Sequence, residues 1–295
     1  MPKAAAEFLE RIEERLKGRE PQARIVFPEG EDPRVREAAA KLEARGLVEP
    51  VLVGRKIADE ERVERYAALF QERRRGRVSA REAREAARRP LYHAALMVAA
   101  GDAEGFVGGA ANSTAETVRA ALQSIGPAPG VGTVSSFFAM AVPDRRVGCG
   151  GLLIAADCAV VIAPSAEQVA DIALMAAAST KLAFECEAQV ALLPGRDAAA
   201  TERAAERVRT RAPELELLTG ERAFEARANA LVFPDLNAAN IGYKLVEWLG
   251  GGAAFGPMLQ GLRRPANDLS RAASAQDIYT VALITALQAY GGAPA

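Results

Sequence analysis

Apolar and polar positions alternate along this chain with two periods. Phe8, Leu9, Ile12 and Leu16 recur at helical spacing with charges between them, which predicts an amphipathic helix near residues 4–17. Arg24-Ile25-Val26-Phe27-Pro28 is a short apolar run closed by proline and predicts a strand. Val35, Ala39 and Leu42 mark a second helix that stops at Gly46, and Pro50 to Gly54 predict a second strand. Strand, helix and strand within about thirty residues form a βαβ unit, whose strands pair in parallel.

The alternation continues to the end. Gly105 to Gly108 predict a strand and Thr114 to Ile125 a helix, with Ser113 and Glu116 at capping-box spacing if Ser113 is the N-cap. Val131 to Val142 and Leu152 to Ile162 are strand-rich. Ser165 and Gln168 are placed to cap a long helix reaching about Phe184. Val190–Leu193, Ala230–Phe233 and Ala253–Leu259 predict further strands, with helices near 198–211 and 238–249, and a last helix runs from about Ser274 to Gln288. This is the pattern of an α/β protein. Gly126-Pro127-Ala128-Pro129-Gly130 is the expected hinge between domains.

Composition narrows the function. At 295 residues the chain fits two domains on a prior of roughly 150 residues each. A net charge of -1 argues against a nucleic-acid or acidic-membrane binder. His93 is the only histidine, which excludes a His-rich metal site. Its neighbour Tyr92 suggests a structural place for it. Cys149, Cys158 and Cys186 have no CxxC spacing and are too few for a disulfide framework, which points to a reducing compartment. Cys158, in an apolar run, is expected to be a buried thiol. The charged N-terminal segment has no apolar core of a signal peptide. The most apolar stretch, Leu152 to Pro164, is interrupted by Asp157 and too short to span a bilayer, and reads as a buried strand pair or a strand and turn. The expected location is the cytoplasm.

In open α/β sheets ligands bind beyond the carboxyl ends of strands, near helix N-termini. Four polar patches fall at such positions: Pro28 to Asp32, Asn112-Ser113-Thr114, Pro234 to Asn237, and Asn267 to Arg271. Each alone reads equally as capping and turn chemistry. Neither GxxxxGK[ST] nor GxGxxG occurs. Between residues 71 and 90, Arg73, Arg74, Arg75, Arg77, Arg81, Arg84, Arg88 and Arg89 stand against Glu72, Glu82 and Glu85. Such a run is either a solvated helix face or a clamp for an anion, since guanidinium forks suit phosphate.

Taken in order, these segments resemble the phosphate acetyltransferases. The resemblance is carried by Arg24-Ile-Val-Phe-Pro-Glu-Gly-Glu-Asp-Pro-Arg34, Asn112-Ser-Thr-Ala-Glu-Thr-Val-Arg119, Ala156-Asp-Cys-Ala159 and Ser165-Ala-Glu-Gln168. Phe233-Pro-Asp-Leu236, Asn240-Ile-Gly-Tyr-Lys244 and Asn267-Asp-Leu-Ser-Arg271 complete it over nearly the whole chain. It implies reversible acyl transfer, acetyl-CoA plus phosphate giving acetyl phosphate plus CoA. It implies two α/β/α sandwich domains with mainly parallel sheets and an active-site cleft between them. The discontinuous first domain would be 1–130 plus 259–295 and the second 131–258. CoA, acetyl-CoA, acetyl phosphate and phosphate are the implied substrates, with no cofactor, no metal, no nucleic-acid or membrane partner, and a homodimer as the assembly.

The resemblance also implies roles. Ser270 and Arg271 match the active-site serine and arginine, and Asp277 matches the proposed general base. Arg119 matches an arginine of CoA or phosphate binding, and Arg73 another, with Arg74 or Arg75 as substitutes. Asn112, Ser113, Thr114, Asn240, Tyr243 and Lys244 fall in substrate-binding segments. A phosphate butyryltransferase, or a non-catalytic relative that senses CoA esters or serves assembly, shares the pattern. The chain departs from the family at Leu193-Pro194-Gly195-Arg196-Asp197, where many members carry a Ser/Thr/Gly-rich segment, and in a shorter stretch before Ala228.

The chemistry fits these residue types. A thiol with a pKa near ~8.5 is mostly protonated at neutral pH, so a base must take its proton as sulfur attacks the acyl carbonyl. Arg271 suits the phosphate oxygens as a bidentate fork, and Ser270 suits the developing oxyanion. Ser274-Ala-Gln-Asp277 also has capping-box spacing, so Asp277 is equally readable as a helix cap.

Overall fold

The computed structural model describes residues 2–291. The chain divides into two compact units. One consists of Glu13–Pro129 and the segment from Leu262 onward; the other of Gly130–Gly261 and the chain up to Ile12. One boundary falls at Pro129/Gly130, inside the Pro/Gly-rich stretch. The sequence-based boundaries differ from this division chiefly in the first twelve residues. The reason is local: Phe8, on helix α1 (Lys3–Leu16), lies edge-on to Phe184 at 5.3 Å and 6.1 Å from Phe255.

The unit containing the chain's last helix has a four-stranded parallel sheet. Its strands are β1 (Arg24–Phe27), β2 (Glu49–Leu52), β3 (Gly105–Gly108) and β10 (Ala266–Asp268), in the order β2-β1-β3-β10. Helices α2 (Pro33–Ala44) and α10 (Ala275–Gly291) pack together against it. The second helical layer is α5 (Pro90–Ala100) and α6 (Thr114–Ser124), backed by α3 (Glu60–Arg73) and α4 (Ala80–Ala87). Ile25, Val26, Phe27, Phe106 and Val107 are completely buried, as strands covered on both faces require. His93 is buried in α5; its Nδ1 lies 2.9 Å from the Ala87 carbonyl and its ring meets Tyr66 edge-on.

The other unit has the strand order β9-β4-β5-β8-β6-β7. These are β4 (Ser135–Ala141), β5 (Leu152–Ala156), β6 (Gln189–Leu192), β7 (Glu216–Leu218), β8 (Ala230–Val232) and β9 (Ala253–Gln260). The β5, β8, β6 and β7 pairings are parallel, whereas β4 runs antiparallel to both β5 and β9. A turn containing Gly148, Gly150 and Gly151, all at positive φ, lets the chain reverse between β4 and β5. Helix α7 (Ala166–Phe184), with α8 (Ala198–Arg211), covers one side, and α9 (Leu236–Trp248) seats Ala239 and Tyr243 on Phe138 and Met140.

The structure settles one open reading of the sequence, as a strand and turn, and corrects another. The apolar run Leu152–Ile162 is a strand only to Ala156. Beyond it the buried Asp157 carboxylate accepts the backbone N–H groups of Ser136 (2.9 Å), Ala159 (3.1 Å), Val160 (3.3 Å) and Val161 (2.7 Å), which curls the chain into a turn. Apolar composition alone does not separate such a turn from a strand. Second, Cys149 and Cys186 are joined by a disulfide, their Cα atoms 6.7 Å apart. They lie 37 residues apart in sequence, a separation that no short spacing rule detects. The cysteine count therefore no longer bears on compartment. Cys158 is a free buried thiol, as its apolar run predicts.

Candidate active site

Three loops at the carboxyl ends of β1, β3 and β10 build one polar constellation within a single unit. The β10–α10 loop carries Ser270 and Arg271, both exposed. Ser270 Oγ accepts the Ala272 N–H at 3.2 Å and the Ser270 carbonyl accepts the Ala273 N–H at 2.8 Å, a tight turn that presents both side chains. The Ser270 hydroxyl proton is therefore left for a ligand. The Arg271 guanidinium has no protein partner among the described residues. Asp277 enters α10 in its first turn. Its Oδ2 accepts the Ser274 N–H at 2.8 Å and the Ser274 hydroxyl at 2.7 Å, and Ser274 Oγ accepts the Asp277 N–H at 3.2 Å. Both bonds to Asp277 fall on one oxygen, so the cap leaves Oδ1 without a protein partner among the described residues.

Arg34 holds this loop in place. The Arg34 guanidinium engages every N–H donor it has. Nε and Nη2 grip Asp32 at 3.1 and 2.8 Å. Nη1 donates to the carbonyls of Arg271 (2.9 Å) and Ala273 (2.8 Å), and Nη2 to that of Ala110 (2.9 Å). The Arg34 guanidinium holds the Asp32 carboxyl below the usual range, against the opposing effect of burial. Asp32 also caps α2 through the Arg34 N–H. One planar fork thus fixes the backbone on both sides of Arg271 and ties it to the β3–α6 loop.

The β3–α6 loop is ordered by Glu29. Its Oε1 accepts the Gly109 N–H (2.9 Å), the Asn112 side-chain amide (2.6 Å) and, more weakly, the Ala111 N–H (3.4 Å). Asn112 thus braces the loop. Ser113 is the N-cap of α6 and forms the full reciprocal box with Glu116, so its hydroxyl is a helix cap. Thr114 opens the helix beside it. A pocket of about 430 Å³ adjoins these residues, lined in part by Glu29, Asp32, Arg55, Arg89 and Asn112.

Of the other predicted positions, Arg119 and Arg73 belong to the same unit as this constellation. Arg119 is exposed midway along α6. Arg73 Nη1 approaches the Ile125 carbonyl at 3.4 Å, at the C-terminal end of the same helix. Eleven helical residues at ~1.5 Å each put that end roughly 16 Å from Asn112 to Thr114. Asn240, Tyr243 and Lys244 lie on α9, in the other unit. Asn240 donates to the carbonyls of Cys158 (3.0 Å) and Leu236 (3.1 Å), Tyr243 stacks on Phe138 at 4.2 Å, and Lys244 is exposed with Nζ over the Tyr243 ring. Three of the eight arginines of the run are ion-paired, Arg81 with Glu85, Arg84 with Glu64 and Arg88 with Glu60. These three belong to the solvated face, whereas Arg89 lines the pocket beside Asn112. Sequence reasoning assigns no role to Glu29, Asp32 or Arg34. They sit inside a quoted motif, and Asp32 pairs locally with Arg34, but Glu29 reaches Gly109 from 80 residues away and Arg34 reaches Ala273 from 239, beyond any spacing rule.

The model of the family described as "Phosphate acetyl/butaryl transferase" matches residues 7–226 and 196–286. A phosphate acetyltransferase of Paracoccus denitrificans is 42% identical over 95% of this chain and 98% of its own length. One of Acetivibrio thermocellus is 38% identical over 96% of this chain and 98% of its own. A crystal structure of a phosphotransacetylase from Streptococcus pyogenes superposes with a TM-score of 0.87 at 33% identity, covering 97% of this chain and 99% of that one.

Proposed function

Because this chain belongs to the phosphate acetyl/butaryl transferase family, we propose that it catalyses reversible acetyl transfer, acetyl-CoA plus phosphate giving acetyl phosphate plus CoA. The observation that carries the reading is the Ser270–Arg271 turn. It presents a hydroxyl and an unpaired guanidinium side by side, on a backbone locked by Arg34. In our mechanism Arg271 takes two oxygens of phosphate or acetyl phosphate in a bidentate fork. Ser270 donates to the oxyanion as the tetrahedral intermediate forms. Asp277, through the oxygen its cap leaves open, accepts the CoA thiol proton as sulfur attacks. The intermediate then collapses with cleavage of the acyl C–O bond, leaving the thioester and releasing phosphate held by Arg271, and microscopic reversal gives acetyl phosphate from acetyl-CoA. Arg119 and Arg73 serve the anionic portions of CoA, and Asn112, Ser113 and Thr114 form the substrate-binding segment at the start of α6.

The test is thioester absorbance in purified protein. Thioester should form from acetyl phosphate and CoA, and disappear from acetyl-CoA only when phosphate is added. Protein that binds CoA without either change would be a sensor and not an enzyme.

The reaction needs no metal or nicotinamide in this account, because CoA supplies the nucleophile and Arg271 the positive charge. Turnover should therefore survive a chelator; strong inhibition reversed by one particular divalent metal contradicts this. We assign the activity to the cytoplasm on the chemistry of its proposed substrates, CoA and acetyl phosphate. No helix among the described residues is long and apolar enough to cross a membrane.

The assembly we propose is a homodimer. Ile241, Leu245, Trp248 and Leu249 form a stripe on the outer face of α9, with Trp248 80% exposed. An apolar stripe of this kind marks an interaction surface, and two-fold pairing is the commonest use. Light scattering should give twice the chain mass, and Trp248→Glu should shift it toward one. A monomeric parent protein sinks this assignment.

A further inference from the structure

Asp268 has no part in the mechanism above, yet it is the most unusual carboxyl in this unit. It ends β10 two residues before Ser270, is completely buried, and neither oxygen has a hydrogen-bond partner among the described residues. Buried polar groups are nearly always satisfied, so an orphaned carboxyl calls for a functional reason. Gly109 lies directly against it. A Cβ placed on Gly109, whose φ is +107°, would stand 2.3 Å from Asp268 Oδ1 and 2.8 Å from both the N and the O of Leu269. Only glycine permits that approach. The β3–α6 loop thus rests on the peptide that leads into Ser270. From its other side Gly109 donates its N–H to Glu29 Oε1, and Glu29 Oε2 is a second buried oxygen without a partner.

The groups facing Asp268 come from three elements. Glu29 faces it from the β1–α2 loop, the hydroxyls of Thr114 and Thr117 from α6, and the Leu269 N–H from its own loop. Burial dominates and pushes the Asp268 carboxyl up to about 6, and the Glu29 charge adds to this; the hydroxyls and the amide favour the charged form but fall short of bonding geometry. The folded protein holds this proton more tightly than the unfolded chain does. Ionising Asp268 therefore costs stability, beginning at the ordinary aspartate range and complete above about 6.

We propose that Asp268 is a positioning residue of the acyl transfer: as a carboxylate it draws in the Thr114 hydroxyl and the Leu269 N–H, setting the Ser270–Arg271 loop against α6, and on protonation it releases that loop. This rests on the reading of the same site as a phosphate acetyltransferase. It assigns the rise of activity from mildly acid to neutral pH to Asp268, and not to Asp277.

The experiment compares wild type, Asp268→Asn and Glu29→Gln, with kcat/KM for acetyl phosphate followed across pH and thermal stability measured alongside. Wild-type kcat/KM should climb through about pH 6 to a plateau. Asp268→Asn, nearly isosteric, should lose that limb and sit ~10-fold or more below the plateau, since small misplacements of reacting groups carry penalties of this size. Its melting temperature should hold or rise, because a costly buried charge is gone. Glu29→Gln should keep the limb but move it to lower pH, because the charge that raises Asp268 is removed; a purely structural role would not move it. An Asp268→Asn profile superimposable on an active wild type overturns the positioning role and leaves the enzyme reading intact. If Asp268→Asn does not fold, an unmoved limb in Glu29→Gln overturns it. A wild type without acyl transfer overturns the enzyme reading itself, and this proposal with it.

Discussion

Asp277→Asn lowers kcat by ~10²–10⁴ while thermal stability changes little, as expected for removal of a general base. The geometry separates base from cap. The two bonds from Ser274 both fall on Oδ2, and an asparagine carbonyl oxygen can accept them in its place. The substitution therefore keeps the helix start and removes the basicity of the open oxygen. If Asp277 were only a cap, turnover would survive and stability would fall by ~1 kcal/mol or less. The loss should also appear at every pH, with the limb near pH 6 retained, because that limb is assigned to Asp268. Parallel pH profiles and thermal melts of the two variants make the check.

Arg34→Ala produces the largest combined loss. It frees the carbonyls of Ala110, Arg271 and Ala273 and leaves the Asp32 carboxylate without its partner. Hydrogen bonds to charged groups contribute ~1.5–3 kcal/mol each, but water reaches part of this site, so we expect ~2–4 kcal/mol of destabilisation in urea unfolding. Activity should fall further than stability explains. With its flanking carbonyls released, Arg271 samples orientations that miss the phosphate, and kcat/KM should drop ~10²-fold. Arg34→Lys should not restore it, because an ammonium lacks the planar fork that spans Asp32 and three carbonyls at once. Full activity in folded Arg34→Ala would show that the loop holds its shape without this contact.

Local features were legible in the sequence and long-range ones were not. The caps at Ser113, Ser165 and Ser274 each bond within three residues of themselves, so spacing alone finds them. Helix α1 shows its period because one face is solvated. Helix α5 is buried on nearly all sides, from Leu91 through Val98, so it offers no amphipathic signal. Strand β10 is three residues, Ala266-Asn267-Asp268, too short to declare itself without the pairing that β3 supplies. Strand β4 reads as part of a parallel α/β pattern, while its antiparallel direction is set by the glycine turn and by pairing with β9. The site follows the same rule. Ser270, Arg271 and Asp277 lie within eight residues and were found together through the family resemblance. Arg34 reaches the Ala273 carbonyl from 239 residues away. Only the folded chain joins them.

The most direct test of the central claim, that the Ser270–Arg271 loop carries acyl transfer, is phosphate-dependent loss of the acetyl-CoA thioester in wild type and Arg271→Ala side by side. The account predicts that wild type consumes thioester in proportion to added phosphate and forms acetyl phosphate in equal amount. Folded Arg271→Ala should lose this activity by roughly 10²-fold or more, as for other groups that hold charge in the transition state. An Arg271→Ala protein as active as wild type, at the same phosphate concentration, would contradict it.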